Sequence, residues 1–233
     1  MKKHTLLLLI SSIFIASCSS DSSNKMIVNG TITGLQKGTL YLQKMQDTIL
    51  TSVDSIQLIG QSTFELIDEN TEIEIYYLTL KEKEKEKIYF FSERGTVTIN
   101  SKLDKLVTSA IITGSKAQKL LEEYKSMTDQ FSGKRLDLIK ETFEAQATKD
   151  DELIEKADKS LRRLIKNRYL YSANFSVRNA NSEVAPYIAL TELYDAHISL
   201  LDTVNNSLSK KIKASKYGKR LNTFVKDIKE NEK

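Results

Sequence analysis

The sequence predicts an α+β fold: an N-terminal antiparallel β-sandwich or rolled sheet followed by a C-terminal helical segment. Three observations carry this reading. Six of the eight glycines lie between Gly30 and Gly114. That stretch is filled with short runs rich in Val, Ile, Thr, Tyr and Phe, broken by glycine or acidic-polar residues, which is the pattern of consecutive strands. From Ser115 onward apolar residues recur every third or fourth position, the period of a helix packed on one side.

In chain order, the first element stands apart from the fold. Lys2 and Lys3 precede the apolar run Leu6–Ala16, which is shorter than the ~20 residues needed to span a bilayer. A charged start, a short apolar core and the small residues Ala16 and Ser17 describe a secretory signal. With Ile15 three positions before Cys18, "IASC" resembles the lipobox of bacterial lipoproteins. The resemblance implies that residues 1–17 are a lipoprotein signal peptide and that Cys18 is the lipid attachment, carrying palmitate or a similar acyl chain. Each buried methylene is worth about 0.8 kcal/mol, so two or three chains hold a protein firmly. The expected location is the cell envelope, anchored to the outer membrane and facing the periplasm or the exterior. Residues 18–25, with "SSDSSN" at their centre, have the composition of a flexible polar tether. Cys18 is the only cysteine, so no disulfide is available, and an acylated sulfur is neither a nucleophile nor a metal ligand.

Residues 26–114 are expected to form a β-rich domain of roughly seven to nine strands. No helix-length pattern interrupts them, which argues against parallel crossovers and for a meander-like arrangement. In "IEIYYL" the period of two puts Ile73, Ile75 and Tyr77 on one face, with Glu74 and Tyr76 on the other. "KEKEKEK", Lys81 to Lys87, reads as a charged hairpin connection that keeps neighbouring strand edges from pairing.

Residues 115–233 are expected to be helical. Ser115 and Gln118 have the spacing of a capping box, followed by Leu120, Leu121, Tyr124, Met127 and Phe131 at helical intervals. A second stripe contains Leu153, Ile154, Ala157, Leu161, Leu164 and Ile165. A third helix starts at Ser182 and places Pro186, the only proline, in the first turn, where amides lack helical partners. A last helix follows Ser215, with Tyr217, Leu221, Phe224 and Ile228 on one stripe. The basic run around it reads as the solvated face of a terminal helix.

Charge and motif content exclude several activities. The formal net charge is +4, and loss of Lys2 and Lys3 with the signal brings it to +2, which leaves no footprint for nucleic acid. His197 is the single histidine beyond the signal, and neither a Cys-x-x-Cys nor a glycine-rich phosphate loop occurs. No catalytic, cofactor-binding or metal residue is therefore expected, and no enzyme.

The order "VNGTITGLQKGTLYLQK", "LTSVDSIQLIGQSTFEL", "IYYLTL", "IYFFSERGTVTI" and "ITGSKAQKLLEEY" resembles a known domain. It is the domain of unknown function at the N-terminus of many Bacteroidetes thiol–disulfide oxidoreductases, the thioredoxin-like lipoproteins. "NSEVAPYIALTEL" and "SKYGKRL" are similar to the helical segment that follows it there. The resemblance covers Lys25 to about Ile228 and implies a β-rich domain followed by helices. In that family a thioredoxin-like domain comes next, whereas this sequence reaches Lys233 with no Cys-x-x-Cys, so the redox activity does not carry over. The expectation is a non-catalytic binding or scaffold module, whose partners are the membrane, through the anchor, and a protein on the helical region. Val184, Tyr187, Tyr194, Tyr217 and Phe224 are the apolar residues from which that contact would be built. The alternative is an accessory subunit that recruits a separate thioredoxin-like redox or folding enzyme to the membrane.

Replacing the anchor residue tests the N-terminal reading. Cys18→Ala is expected to abolish acylation and block cleavage before residue 18, seen as loss of radioactive palmitate and a larger species on a gel. Normal maturation with retained label contradicts it.

Overall fold

The computed structural model describes residues 25–69 and 72–231; the expected signal peptide, Cys18 and all of the tether but Lys25 lie outside the described residues. Residues 26–113 form two sheets, and six helices follow. The strands are β1 (Met26–Thr33), β2 (Lys37–Gln46), β3 (Ile49–Ile59), β4 (Thr63–Asp68), β5 (Glu74–Leu80), β6 (Lys87–Ser92), β7 (Gly95–Lys102) and β8 (Ile111–Thr113). One sheet has the order β4-β1-β7-β8 and the other β3-β2-β5-β6.

One pairing departs from the antiparallel expectation. β1 and β7 run parallel, from Met26 opposite Gly95 to Thr33 opposite Lys102. A parallel pair needs a long connection, and the usual one is a helix. Here the chain crosses into the other sheet and back, so strands supply the crossover. The lack of a helical pattern was therefore no bar to parallel pairing.

The inward faces of the sheets interdigitate. Val28, Ile32, Leu66, Val97 and Ile99 from one sheet meet Leu40, Leu42, Tyr76, Leu78 and Phe90 from the other. Full burial of each such aliphatic side chain stabilises the fold by about 1.5–3 kcal/mol before conformational entropy is counted. The outer face of β5 and β6 is also covered. Ile73, Ile75, Tyr77 and Phe91 join a second core with Leu121, Tyr124, Val184, Ile188 and Tyr217 from the helices. The face assignment made for "IEIYYL" holds, and β5 is buried on both sides, with only Tyr77 half-buried. "KEKEKEK" is indeed the β5–β6 hairpin connection, closed by a Lys83–Glu86 ion pair at 2.9 Å.

The helices are α1 (Lys116–Thr148), α2 (Asp151–Arg178), α3 (Val184–Glu192), α4 (Ile198–Ser207), α5 (Lys210–Lys213) and α6 (Lys216–Asn231). Ser115 caps α1 by accepting the Gln118 amide at 3.0 Å. The Gln118 side chain does not close a capping box. Its Oε1 accepts the Phe91 N–H of β6 at 2.9 Å, and the Glu93 carboxylate accepts the Lys116 amide. One polar residue thus pins the start of α1 to the open edge of β6, where an unpaired buried N–H would cost about 1–3 kcal/mol. α1 runs well past Phe131, the end of its recognisable stripe, and Asp150 caps α2 by accepting the Leu153 amide at 3.0 Å. Pro186 sits in the first turn of α3, as expected. The sequence pattern did not separate α4 and α5; they pack Leu201, Val204 and Ile212 against Ala185, Ala189, Leu221 and Val225 in a third, all-helical core.

Two helical glycines are predicted to answer in opposite directions. A Cβ at Gly218 in α6 would stand 1.8 Å from the Ile212 carbonyl oxygen, whereas one at Gly133 in α1 would meet nothing within 4 Å. Alanine gains about 1 kcal/mol of helix propensity over glycine. At Gly218 the backbone clash outweighs that gain, since overpacking costs about 1–3 kcal/mol even against movable side chains. Gly133→Ala should raise the denaturant-extrapolated stability by up to about 1 kcal/mol, and Gly218→Ala should lower it by about 2 kcal/mol. A stabilised Gly218→Ala variant contradicts the packing of α6 on α5.

Candidate functional site: a cleft between the second sheet and the helices

The cleft begins where two strands part. The β2–β5 ladder ends at Lys44 opposite Tyr76, although β2 continues to Gln46 alongside β3. Beyond that point the Met45 carbonyl and the Ile75 amide have no ladder partner, and the first turn of α6 supplies both. Lys216 Nζ donates to the Met45 carbonyl at 3.1 Å, and the Ile75 N–H donates to the Tyr217 hydroxyl at 3.0 Å. Lys216 also forms an ion pair with Glu74, whose side chain is only 2% exposed. On the other side of Glu74, Lys44 lies 3.8 Å from Glu74 Oε1 and 2.7 Å from Asp68 Oδ2. The Tyr76 hydroxyl donates to Asp68 at 2.7 Å and completes the network. A carboxylate this buried survives only with such partners; removing one from a buried pair typically costs 3–5 kcal/mol.

Above this network lies a cavity of about 340 Å³. Its sheet side is Ile75 and Tyr77, and its helical walls are Tyr187, Leu190 and Thr191 of α3 with Tyr217 and Phe224 of α6. Lys216 and Arg220 bring positive charge to it, and Tyr194 stands at the rim, 61% exposed. The aromatic wall is interlocked: Phe91, Tyr187 and Tyr217 pack edge to face at centroid distances of 5.1, 5.4 and 6.0 Å. Burial pushes the Tyr217 hydroxyl up to about 12 and also raises Tyr187 and Tyr77. At neutral pH these hydroxyls stay protonated and act as hydrogen-bond donors and acceptors, not as bases. Among the described residues no group of three His, Cys, Asp or Glu side chains is placed to hold a metal ion. No helix of the described residues is long and apolar enough to cross a membrane.

The apolar residues singled out in the sequence now separate. Val184 and Tyr217 are buried in the sheet–helix core, and Tyr187 and Phe224 are half-buried in the cleft wall. Tyr194 alone of the five is exposed. His197 caps α4, its Nδ1 accepting the Ser199 amide at 3.3 Å. Cys18 lies outside the described residues. The residues missed from the sequence are the charged ones: Lys44, Glu74, Lys216 and Arg220. One signal for Glu74 was present, a carboxylate sharing a strand face with Tyr76 between apolar neighbours. Lys216 carried none, because it sits in a run of lysines that otherwise faces solvent.

Comparison with known proteins gives a family match and a distant structural likeness. No curated protein matches the chain. A solved structure, pT26-6p, is similar at 11% identity with a TM-score of 0.23, over 91% of this chain and 44% of that one. The chain thus spans less than half the length of that structure. The family described as "Domain of unknown function (DUF4369)" matches residues 26–121, from the first residue of β1 into the second turn of α1. Residues 26–121, the two-sheet region with the start of the helix that closes it, are therefore a DUF4369 domain.

Proposed function

We propose that this protein is a non-catalytic binding module, held at the cell envelope by a lipid on Cys18, with the sheet–helix cleft as its binding site. The observation that carries the reading is the pairing of an aromatic wall with cations in one cavity. Its volume lies at the lower end of the roughly 300–1,000 Å³ usual for small-molecule sites. Lys216 is already engaged by Glu74, so Arg220 supplies the charge left for a ligand. The chemistry fits a small ligand with an aromatic or acyl body and an anionic end. The raised tyrosines favour binding over catalysis, since none titrates near neutrality. A second reading rests on the DUF4369 match and on motifs resembling the region before thioredoxin-like domains. In it the protein recruits a separate redox or folding enzyme, and a Cys-x-x-Cys protein would co-purify with it from envelope fractions.

The probe for the cleft is anilinonaphthalene sulfonate, which has fused apolar rings and one negative charge. Its fluorescence is expected to rise saturably with one site per chain. Arg220→Glu should weaken binding by at least about tenfold, the equivalent of one charge-assisted contact, with an unchanged unfolding midpoint. Tyr194→Ala should weaken it less. Absence of saturable binding, or equal affinity in Arg220→Glu, overturns the assignment.

A further inference from the structure

Glu183, the residue before α3, is 8% exposed, and among the described residues no hydrogen bond or ion pair holds its carboxylate. The start of α3 does not use it either. Ser182 Oγ accepts the Val184 amide at 3.3 Å, and the Ala185 amide donates to the Ser182 carbonyl. Pro186 has no N–H, and the Tyr187 amide donates to the Glu183 backbone carbonyl. The α3 dipole favours a negative charge at this end, but by less than burial without a partner costs. The chain itself therefore leaves this carboxylate uncompensated.

Two cavities, of about 510 and 430 Å³, open beside it. They join along Ile73, Glu93, Glu183 and Lys211 into one groove between the ends of β5 and β6 and the helices. Its lining shares only Lys216 with the aromatic cleft. Of the charges common to both halves, Glu93 is taken by the Lys116 amide. Glu183 and the exposed Lys211 remain, and no ion pair joins them.

We infer that this groove binds a free amino acid, its α-ammonium on Glu183 and its α-carboxylate on Lys211. The sign pattern selects that chemistry. A simple anion would meet the buried Glu183, and a simple cation would meet Lys211; a zwitterion is complementary to both. The remaining charges of the groove, Arg94, Lys116, Lys119, Glu72 and Glu123, are exposed and screened by solvent, so the buried carboxylate sets the orientation. An ammonium has three donors, and Asn181 and Ser182 line the same half with further oxygens. Among the described residues no group of three acidic, cysteine or histidine side chains is placed to hold a metal ion, so the cation that fits is organic. Ile73, Ala117 and Leu120 give an aliphatic side chain an apolar strip beside it. Each half of the groove lies within the roughly 300–1,000 Å³ usual for small-molecule sites.

L-Leucine is the probe, titrated calorimetrically into the full chain in detergent. The expected result is saturable binding at one site per chain, with an unfolding midpoint that rises with leucine. N-acetylleucine, which lacks the ammonium, and leucinamide, which lacks the carboxylate, should each bind at least about tenfold more weakly. Glu183→Gln should weaken leucine by a similar factor while leaving the unliganded midpoint unchanged or higher, because no partner of the carboxylate is lost. Lys211→Ala should weaken leucine and leave leucinamide unaffected. Neither substitution should change anilinonaphthalene sulfonate binding, which separates this groove from the cleft. Absence of saturable leucine binding up to its solubility limit overturns the inference, as does equal binding of N-acetylleucine. A Glu183→Gln chain that unfolds at lower temperature overturns it too, since the chain itself would then be holding the carboxylate.

Discussion

Glu74 opens β5 with its side chain 2% exposed, held between Lys44 of the sheet and Lys216 of the last helix. Burying a carboxylate is costly, and only paired charges and hydrogen bonds offset the loss of water. The arrangement ties the first turn of α6 to one end of the second sheet. Once Lys216 is there, Tyr217 reaches the Ile75 amide, and α6 lies across the outer face of β5. The cleft is what remains between that face and the α3–α6 pair. Without the helices, Ile75, Tyr77 and Phe91 would form an open apolar face, and the amides of Ile75 and Phe91 would lose the acceptors now supplied by Tyr217 and Gln118.

The two halves of the chain are therefore joined by polar contacts at the points where backbone pairing runs out. Gln118 seals the edge of β6, and Lys216 with Tyr217 seals the gap between β2 and β5. Apolar burial supplies most of the stabilisation, but it is non-directional. The hydrogen bonds fix where α1 and α6 begin, and so where the cleft opens.

The change of period at Ser115, the face assignment in "IEIYYL", the charged β5–β6 connection and the place of Pro186 were all legible, because each depends on neighbours within a turn or a strand. The parallel β1–β7 pair was not, since it depends on two strands about 70 residues apart that no local pattern links. Gln118 was recognised for the right position and the wrong bond; its spacing marked a helix start, but the nearby β6 edge offered a better donor. Arg220 and Lys216 were hidden in a basic run, where only the fold distinguishes an inward cation from a solvated one. The expectation of a signal peptide over residues 1–17 rests on sequence alone, and those residues lie outside the described ones.

If the helices are an integral cover of the second sheet, the amides of Ile75 and Phe91 are protected only while α6 and α1 stay docked. Native-state hydrogen exchange at these two positions tests that directly. The expected result is exchange of both amides with the same opening free energy as the β5–β6 ladder and the buried turn of α6 around Leu221. Fast exchange at Ile75 and Phe91 while the ladder remains protected would mean that the helices lift away on their own, and it would contradict a single cooperative body.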